Sequence, residues 1–377
     1  MEMQFTAEQD DLRRSLRRFL EQRSPSTEVR RLMDTTEGYD PEVWKRLTAE
    51  LGLTGLVVPE EFGGVGAGQV ELSVVFEEMG RALLCAPYLA TSLATEALLR
   101  SGDAEAQADL LPGIAEGTTI ATVALCGESG SWSLDDLPVS ATSTGDAWSL
   151  EGTATYVLDG TVASLLLVVA STPDGPSLFA VTDPEGLSRQ GLQTLDMTRK
   201  LATVDFGGAS ARPVGAAGSV SAWWPRFLQT ARVCLAAEQV GGAQWCLDTS
   251  LEYAKLRYQF NRPVGSFQAV KHRLADMLLD VENARSAAYY ATFTLADGDD
   301  EATAEAVRVV PLTSAVCAEA YRRVTADCIQ VHGGIAFTWE HDAHLYYRRA
   351  GSSAMQFGDA ATQWQVLGDD LFAKADA

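Results

Sequence analysis

The sequence predicts an α+β multidomain protein. An N-terminal helical domain covers 1–117, a middle antiparallel β domain 118–218 and a C-terminal helical bundle 219–377. Three observations predict it. Apolar residues recur at helical spacing over both ends of the chain. Between them, short β-rich runs are separated by clusters of Gly, Pro, Asp and Ser. Composition shifts near Gly117 and again at the turn from Gly215 to Gly218. With 377 residues and 46% hydrophobic content, the chain can build two or three domains with their own cores.

Thr6 and Gln9 have the spacing of a capping box. The helix that follows places Leu12, Leu16, Phe19 and Leu20 on one face. Asp40 and Pro41 start a second helix that carries Val43, Trp44, Leu47 and Leu51 and stops at Gly52. Pro59, Gly63 and Gly64 force an irregular loop. Helices follow at about 70–84 and 89–101. Strands are expected at 118–126, 147–152, 164–171, 177–182 and 202–206. Leu165 to Ala170 lacks alternation, which suits a strand buried on both faces. Beyond Gly218 the apolar positions support long helices at 223–257, 267–297 and 301–331, with shorter ones at 339–349 and 360–374. A bundle buries such faces economically.

A net charge of -22 argues against nucleic acid or an anionic membrane surface as partner. An anionic ligand then needs a local cluster of Arg and Lys. Six scattered Cys without a CxxC pair suggest reduced, buried thiols and a cytoplasmic protein. The polar, charged start does not resemble a signal peptide, and no apolar run reaches transmembrane length. His341 and His344 have no Cys or acidic set that suggests a metal site, so surface histidines are expected.

The chain is organised around the stretch from Arg257 to Met277. Pro263 and the residue before it break the long helix. Ser266 is a plausible N-cap for the next one. Arg257, Gln259 and Phe260 thus put a cation, an amide and an aromatic ring at a helix end. Read locally, this is an arginine answering a helix dipole. As a whole the run is Arg-x-Gln-Phe, Arg-Pro-Val, then Phe-Gln-x-x-x-His-x-x-Ala-Asp-Met in outline. It resembles the C-terminal signature of the acyl-CoA dehydrogenase flavoproteins. Leu56 to Tyr88 resembles the same family's N-terminal domain, with its Pro-Glu-Glu-Phe-Gly-Gly, Glu-Glu-Met-Gly-Arg and Pro-Tyr. The order of domains is the family's as well.

The resemblance implies FAD, with its adenine end held across a subunit interface. It implies that Arg257 pairs with the pyrophosphate, since guanidinium matches phosphate oxygens. Gln259, Phe260, Phe267 and Gln268 would flank the same dinucleotide. Gln330, Gly333 and Gly334 would form a second element, because adjacent glycines allow close backbone approach. Without the resemblance, Gly333 and Gly334 read as a helix terminator. The reaction implied is α,β-dehydrogenation of an acyl-CoA or other acyl thioester, with a carboxylate taking the α proton and hydride passing to flavin.

Several positions depart from the family pattern. The usual Glu-Gly base position reads Phe357 and Gly358, and an alternative base position on the first bundle helix reads Ala231. Neither Phe nor Ala accepts a proton. Asp359 and Glu238 are the nearby acids and the candidate bases. Their plain structural readings are a turn residue for Asp359 and a buried ion pair or cap contact for Glu238. On the flavin side, the family's Thr-Glu-Pro-x-x-Gly-Ser-Asp survives only as Gly130 and Ser131. Its Trp-Ile-Thr reads Tyr156, Val157 and Leu158, where Tyr156 can still stack.

These departures leave two main expectations. One is an active, divergent dehydrogenase with a relocated base. The other is an impaired partner subunit that completes a neighbour's FAD site. A third is a flavoprotein with a different reaction on an acyl thioester. The assembly expected is a homo-oligomer or a hetero-tetramer with a homologous chain.

Overall fold

The computed structural model describes residues 4–143, 145, 147–298 and 300–375. In chain order the helices α1 (Ala7–Arg23), α2 (Ser26–Met33), α3 (Pro41–Leu51), α4 (Gln69–Arg81), α5 (Tyr88–Ser101) and α6 (Ala104–Ala115) come first. The strands β1 (Ala121–Ala124), β2 (Val139–Ser143), β3 (Trp148–Leu158), β4 (Leu165–Thr172), β5 (Gly175–Val181), β6 (Ser188–Gly191), β7 (Leu201–Asp205) and β8 (Ala209–Val214) follow. Then come α7 (Val220–Leu256), a short hairpin of β9 (Tyr258–Gln259) and β10 (Arg262–Pro263), α8 (Gln268–Asp297), α9 (Asp300–His332), α10 (Ala343–Ser353) and α11 (Ala360–Ala375). This is the helical, β and helical-bundle order that the sequence predicts.

Local chemistry explains the ends. Thr6 accepts from the Gln9 amide while Gln9 Oε1 accepts from the Thr6 N–H at 2.9 Å, a complete capping box. Asp40 caps α3, and Gly52 closes it at φ 64°. Leu16, Phe19 and Leu20 are buried, but Leu12 is only half-buried. Leu165 to Ala170 is buried throughout, as its unbroken apolar run predicts.

Besides the β9–β10 hairpin, five elements escaped the sequence reading for physical reasons. α2 is short, and α6 carries Pro112 inside it. β2 offers only two buried positions, and β6 buries none. β8 contains Pro213, which reads as a strand breaker. The sheet is antiparallel except where β4 runs parallel to β1 and β2. The β2–β3 segment supplies part of the long crossover that the parallel β1–β4 pairing requires.

The chain forms two compact units. One gathers Met1–Val29, Gln69–Leu84 and Arg232–Ala377; the other gathers Arg30–Gly68 and Cys85–Ala231. In the second, the strands follow the order β1-β4-β5-β8-β3-β7-β6, with β2 against β3 and β4. In the first, α4 and α7 touch through glycines. A Cβ at Gly241 would stand 1.8 Å from Glu77 O, and one at Gly80 2.0 Å from Glu238 O. Gly241→Ala forces the helices apart and lowers stability by about 2–3 kcal/mol, measurable by denaturant titration.

Glu77 joins α1, α4 and α8. It takes hydrogen bonds from Arg13 at 2.7 Å and Tyr289 at 2.9 Å, and pairs with Arg285. Burial alone would raise its carboxyl, but Arg13 and Arg285 outweigh burial and hold it below its ordinary value. A lowered folded pKa contributes stability above the unfolded value and loses it as pH falls through the folded one. Glu77→Gln therefore flattens the acid limb of the stability–pH curve, read by denaturant titrations across that range.

Candidate functional site

The end of α7 builds the first part of the site. Gln259 lies opposite Arg262 in the hairpin, and the turn between them is Phe260 and Asn261. Both turn residues are left-handed, at φ 51° and 61°, as a tight two-residue hairpin turn requires. Val264 N donates to Arg257 O at 2.7 Å and closes the base of the hairpin. Arg262 lies over the Phe267 ring at 3.9 Å, and Phe267 meets Phe260 edge-on at 6.0 Å. Phe260 is nevertheless 87% exposed. A bulky residue in the left-handed region is strained, and such strain concentrates at ligand clamps.

Ser266 does not cap α8. It ends a 3₁₀ turn, Val264–Ser266, and the N-cap position falls to Phe267, which makes no side-chain cap bond. The turn that Pro263 initiates absorbs the residue expected to cap. Gln268 opens α8 and lies 3.4 Å from the His272 ring nitrogen.

The second part is the end of α9. His332 is buried, with Nδ1 on Cys328 O at 2.8 Å. Its ring packs 4.5 Å from Tyr253, one turn before Arg257 on α7. This contact brings the two predicted nucleotide elements together. Gly333 takes φ 67°, so the terminator reading holds for it. Gly334 is not left-handed, and a Cβ at either glycine would meet nothing within 4 Å. The chain's own packing does not require the missing side chain at Gly334. Arg257, Gln259, Phe260, Gln268, Gln330 and Gly334 are exposed, while Phe267 and Gly333 are half-buried. Donors, rings and bare backbone are therefore presented, mostly exposed, just after α7 and at the end of α9, and their chemistry suits the nucleotide half of FAD.

The flavin-side positions lie in the other unit. Ser131 is exposed, and its hydroxyl accepts the Ser133 N–H at 3.1 Å. Tyr156 sits at the bulge in β3 with φ 58°, and its ring packs 3.5 Å from the Cβ position of Gly130. Leu158 is buried. Sequence reading missed an aromatic stack beside this loop. Trp224 donates to Trp132 O at 3.1 Å, lies parallel to the Trp132 ring at 6.4 Å and stacks on Phe227 at 4.6 Å. The adjacent Trp223 and Trp224 were its signal. Trp132 stands where the family pattern has Asp.

The candidate bases occupy structural roles. Glu238 is buried and accepts from Arg349 at 3.0 Å across α7 and α10. Asp359 accepts from Thr362 N at 2.9 Å and Thr362 Oγ1 at 2.6 Å, the arrangement of a helix cap for α11. The two Thr362 bonds hold its carboxyl below the ordinary aspartate value. Phe357 and Ala231 are fully buried. The Phe357 turn keeps a left-handed φ of 58°, and its carbonyl accepts from Arg232 Nε at 2.9 Å.

His341 and His344 are half-buried rather than on the surface. His341 Nδ1 accepts the Ala343 N–H, and Trp339 meets His344 edge-on at 4.6 Å; local packing draws both rings inward. All six Cys are buried thiols, and none forms a disulfide. Among the described residues no helix is long and apolar enough to cross a membrane.

Comparison with known proteins agrees with this layout. The acyl-CoA dehydrogenase N-terminal domain family matches residues 6–118, and the C-terminal domain family matches 223–372. The acyl-CoA dehydrogenase IpdE2 of Mycolicibacterium smegmatis is 35% identical over 365 residues, covering 97% of this chain and 99% of the relative. The ChsE4-ChsE5 complex of Mycobacterium tuberculosis contains a chain 31% identical with a TM-score of 0.88, covering 98% of this chain and 99% of that one. A variant of the Tcur3481-Tcur3483 steroid ACAD gives 31% identity and a TM-score of 0.87 over 98% and 99% of the two chains. From both domain matches and the near full-length relative, the chain belongs to the acyl-CoA dehydrogenase family.

Proposed function

We propose that the chain is a subunit of an FAD-dependent acyl-CoA dehydrogenase that carries out α,β-dehydrogenation of an acyl thioester. Its own contribution is the nucleotide half of an FAD site whose flavin ring a neighbouring chain holds. One contrast carries the reading. Most of the residues suited to the dinucleotide are exposed, and the Tyr253–His332 contact links the two segments that carry them, whereas Phe357 and Ala231 are fully buried and apolar. Glu238 and Asp359 are engaged as ion pair and cap.

In this role Arg257 answers the pyrophosphate charge, and Gly333 and Gly334 admit the ligand close to the backbone. Phe260 and Phe267 shield it from water. FAD, when bound, supplies the hydride-accepting chemistry. Relatives whose names pair two different chains, ChsE4-ChsE5 and Tcur3481-Tcur3483, support a hetero-oligomer with a homologous chain over a homo-oligomer. The word steroid in the second name supports a bulky polycyclic acyl group as substrate.

Flavin colour tests this. Purified alone, the chain is expected to be colourless. Co-expressed with a homologous chain that retains the Glu-Gly base motif, it is expected to give a yellow assembly bleached by acyl-CoA. A yellow protein purified alone and bleached by acyl-CoA contradicts the partner role.

A further inference from the structure

An open cavity of about 490 Å³ lies between the last turns of α7 and the first turns of α8. Small-molecule sites span roughly 300–1,000 Å³, so it is large enough for one. Leu251 and Ala254 of α7, Pro263 of the hairpin and Leu274 of α8 give it apolar walls. Leu251 is 41% exposed, so the chain alone leaves part of this wall to water. Covering such a wall with an apolar body is favourable.

The charge around this cavity has one sign. Two of the chain's five lysines, Lys255 and Lys271, border it, and none of its described lining residues is acidic. In a chain of net charge -22 this is the local cation cluster that an anionic ligand needs. No ion pair among the described residues engages Lys271. Lys255 meets Glu252 at 2.6 Å, but both side chains are more than half exposed, so that pair is weak and easily given up. Ser266, also on the wall, has a buried hydroxyl without a hydrogen-bond partner among the described residues. Buried polar atoms are ordinarily satisfied. A hydroxyl donates as well as accepts and turns on one side-chain bond, so an anion's oxygen can satisfy it. Two residues on, α8 begins without a side-chain cap, and the positive end of its dipole favours the same charge.

We propose that this cavity binds an aliphatic anion. Its carboxylate or phosphate head meets Lys255, Lys271 and the Ser266 hydroxyl, and its hydrocarbon chain lies against the apolar walls. Arg257, Gln259 and Gln268 do not line the cavity, so the site does not depend on the proposed function.

Titration calorimetry with octanoate, octyl phosphate and 1-octanol, on the full chain and on its assembly, tests this. At least one of the two anions is expected to bind about tenfold more tightly than 1-octanol, the scale of one charge-assisted hydrogen bond. The tighter anion identifies the head. Acetate and inorganic phosphate, heads without a chain, are expected to bind at least about a hundredfold more weakly than the matching eight-carbon ligand. Lys255→Met combined with Lys271→Met is expected to remove the preference for the anion. Leu251→Trp narrows the cavity and is expected to weaken all three eight-carbon ligands. All three positions are exposed, so these variants keep the fold. Equal binding of 1-octanol and both anions, equal binding of a bare head and its eight-carbon match, or unchanged affinities in either variant overturn the proposal. Binding by the chain alone that vanishes in the assembly also overturns it, and makes the cavity part of a contact between chains.

Discussion

Replacing Glu238 by Gln is expected to lower folding stability by about 3–5 kcal/mol, the cost of breaking one side of a buried ion pair. Glu238 and Arg349 are both buried and meet at 3.0 Å. The substitution leaves the Arg349 guanidinium without this counter-ion in a place where water cannot replace it. A denaturant titration reads the loss directly. The same variant tests catalysis. A general base contributes about 10²–10⁴-fold, so losing one would suppress turnover of the folded assembly by that factor. The proposed function expects turnover to fall only as far as the folded fraction does. Asp359→Asn is the matched control: an asparagine oxygen can accept the same Thr362 bonds at the start of α11, so stability is expected to change little.

Arg257→Ala carries the second large effect. Arg257 is exposed at the end of α7, and its backbone is fixed by bonds to Tyr253 O at 2.9 Å and from Val264 N at 2.7 Å. The fold thus holds the backbone and leaves the guanidinium for a ligand. Hydrogen bonds to charged groups contribute about 1.5–3 kcal/mol, so FAD affinity of the assembly is expected to fall roughly 10–150-fold. Stability of the chain itself should barely move, because an exposed side chain is removed. Flavin retained through gel filtration, compared with the melting profile of the same sample, separates the two. A variant that keeps its flavin at dilute concentration counts against the role of Arg257.

Much of this was legible because local signals and tertiary needs agree. Thr6, Gln9, Asp40 and Gly52 are cap residues used as caps. Leu165 to Ala170 is buried as a strand because a run with no polar face has no other stable place. The residues proposed for the nucleotide stand out in the sequence as an ordered motif, though periodicity says nothing of them. The hairpin was not, because Phe260 and Asn261 form a left-handed turn without glycine. Ser266 failed as a cap because Pro263 set a 3₁₀ turn first. A buried ion pair was one of the readings of Glu238, but its partner was out of reach, as was the role of Arg232, because Arg349 and Phe357 lie more than 100 residues away in sequence. The three-part division at 117 and 218 remains our proposal for the domains; the two compact units instead divide α7 at Ala231.

The account rests on a dinucleotide gripped by this chain on behalf of another. A crystal structure of the flavin-loaded assembly measures it most directly. The expected result is FAD pyrophosphate within hydrogen-bond reach of the Arg257 guanidinium, at a subunit boundary, with the flavin ring against a different chain. An FAD held wholly by one chain, with Arg257 and Gly334 facing solvent or an unrelated contact, would contradict it.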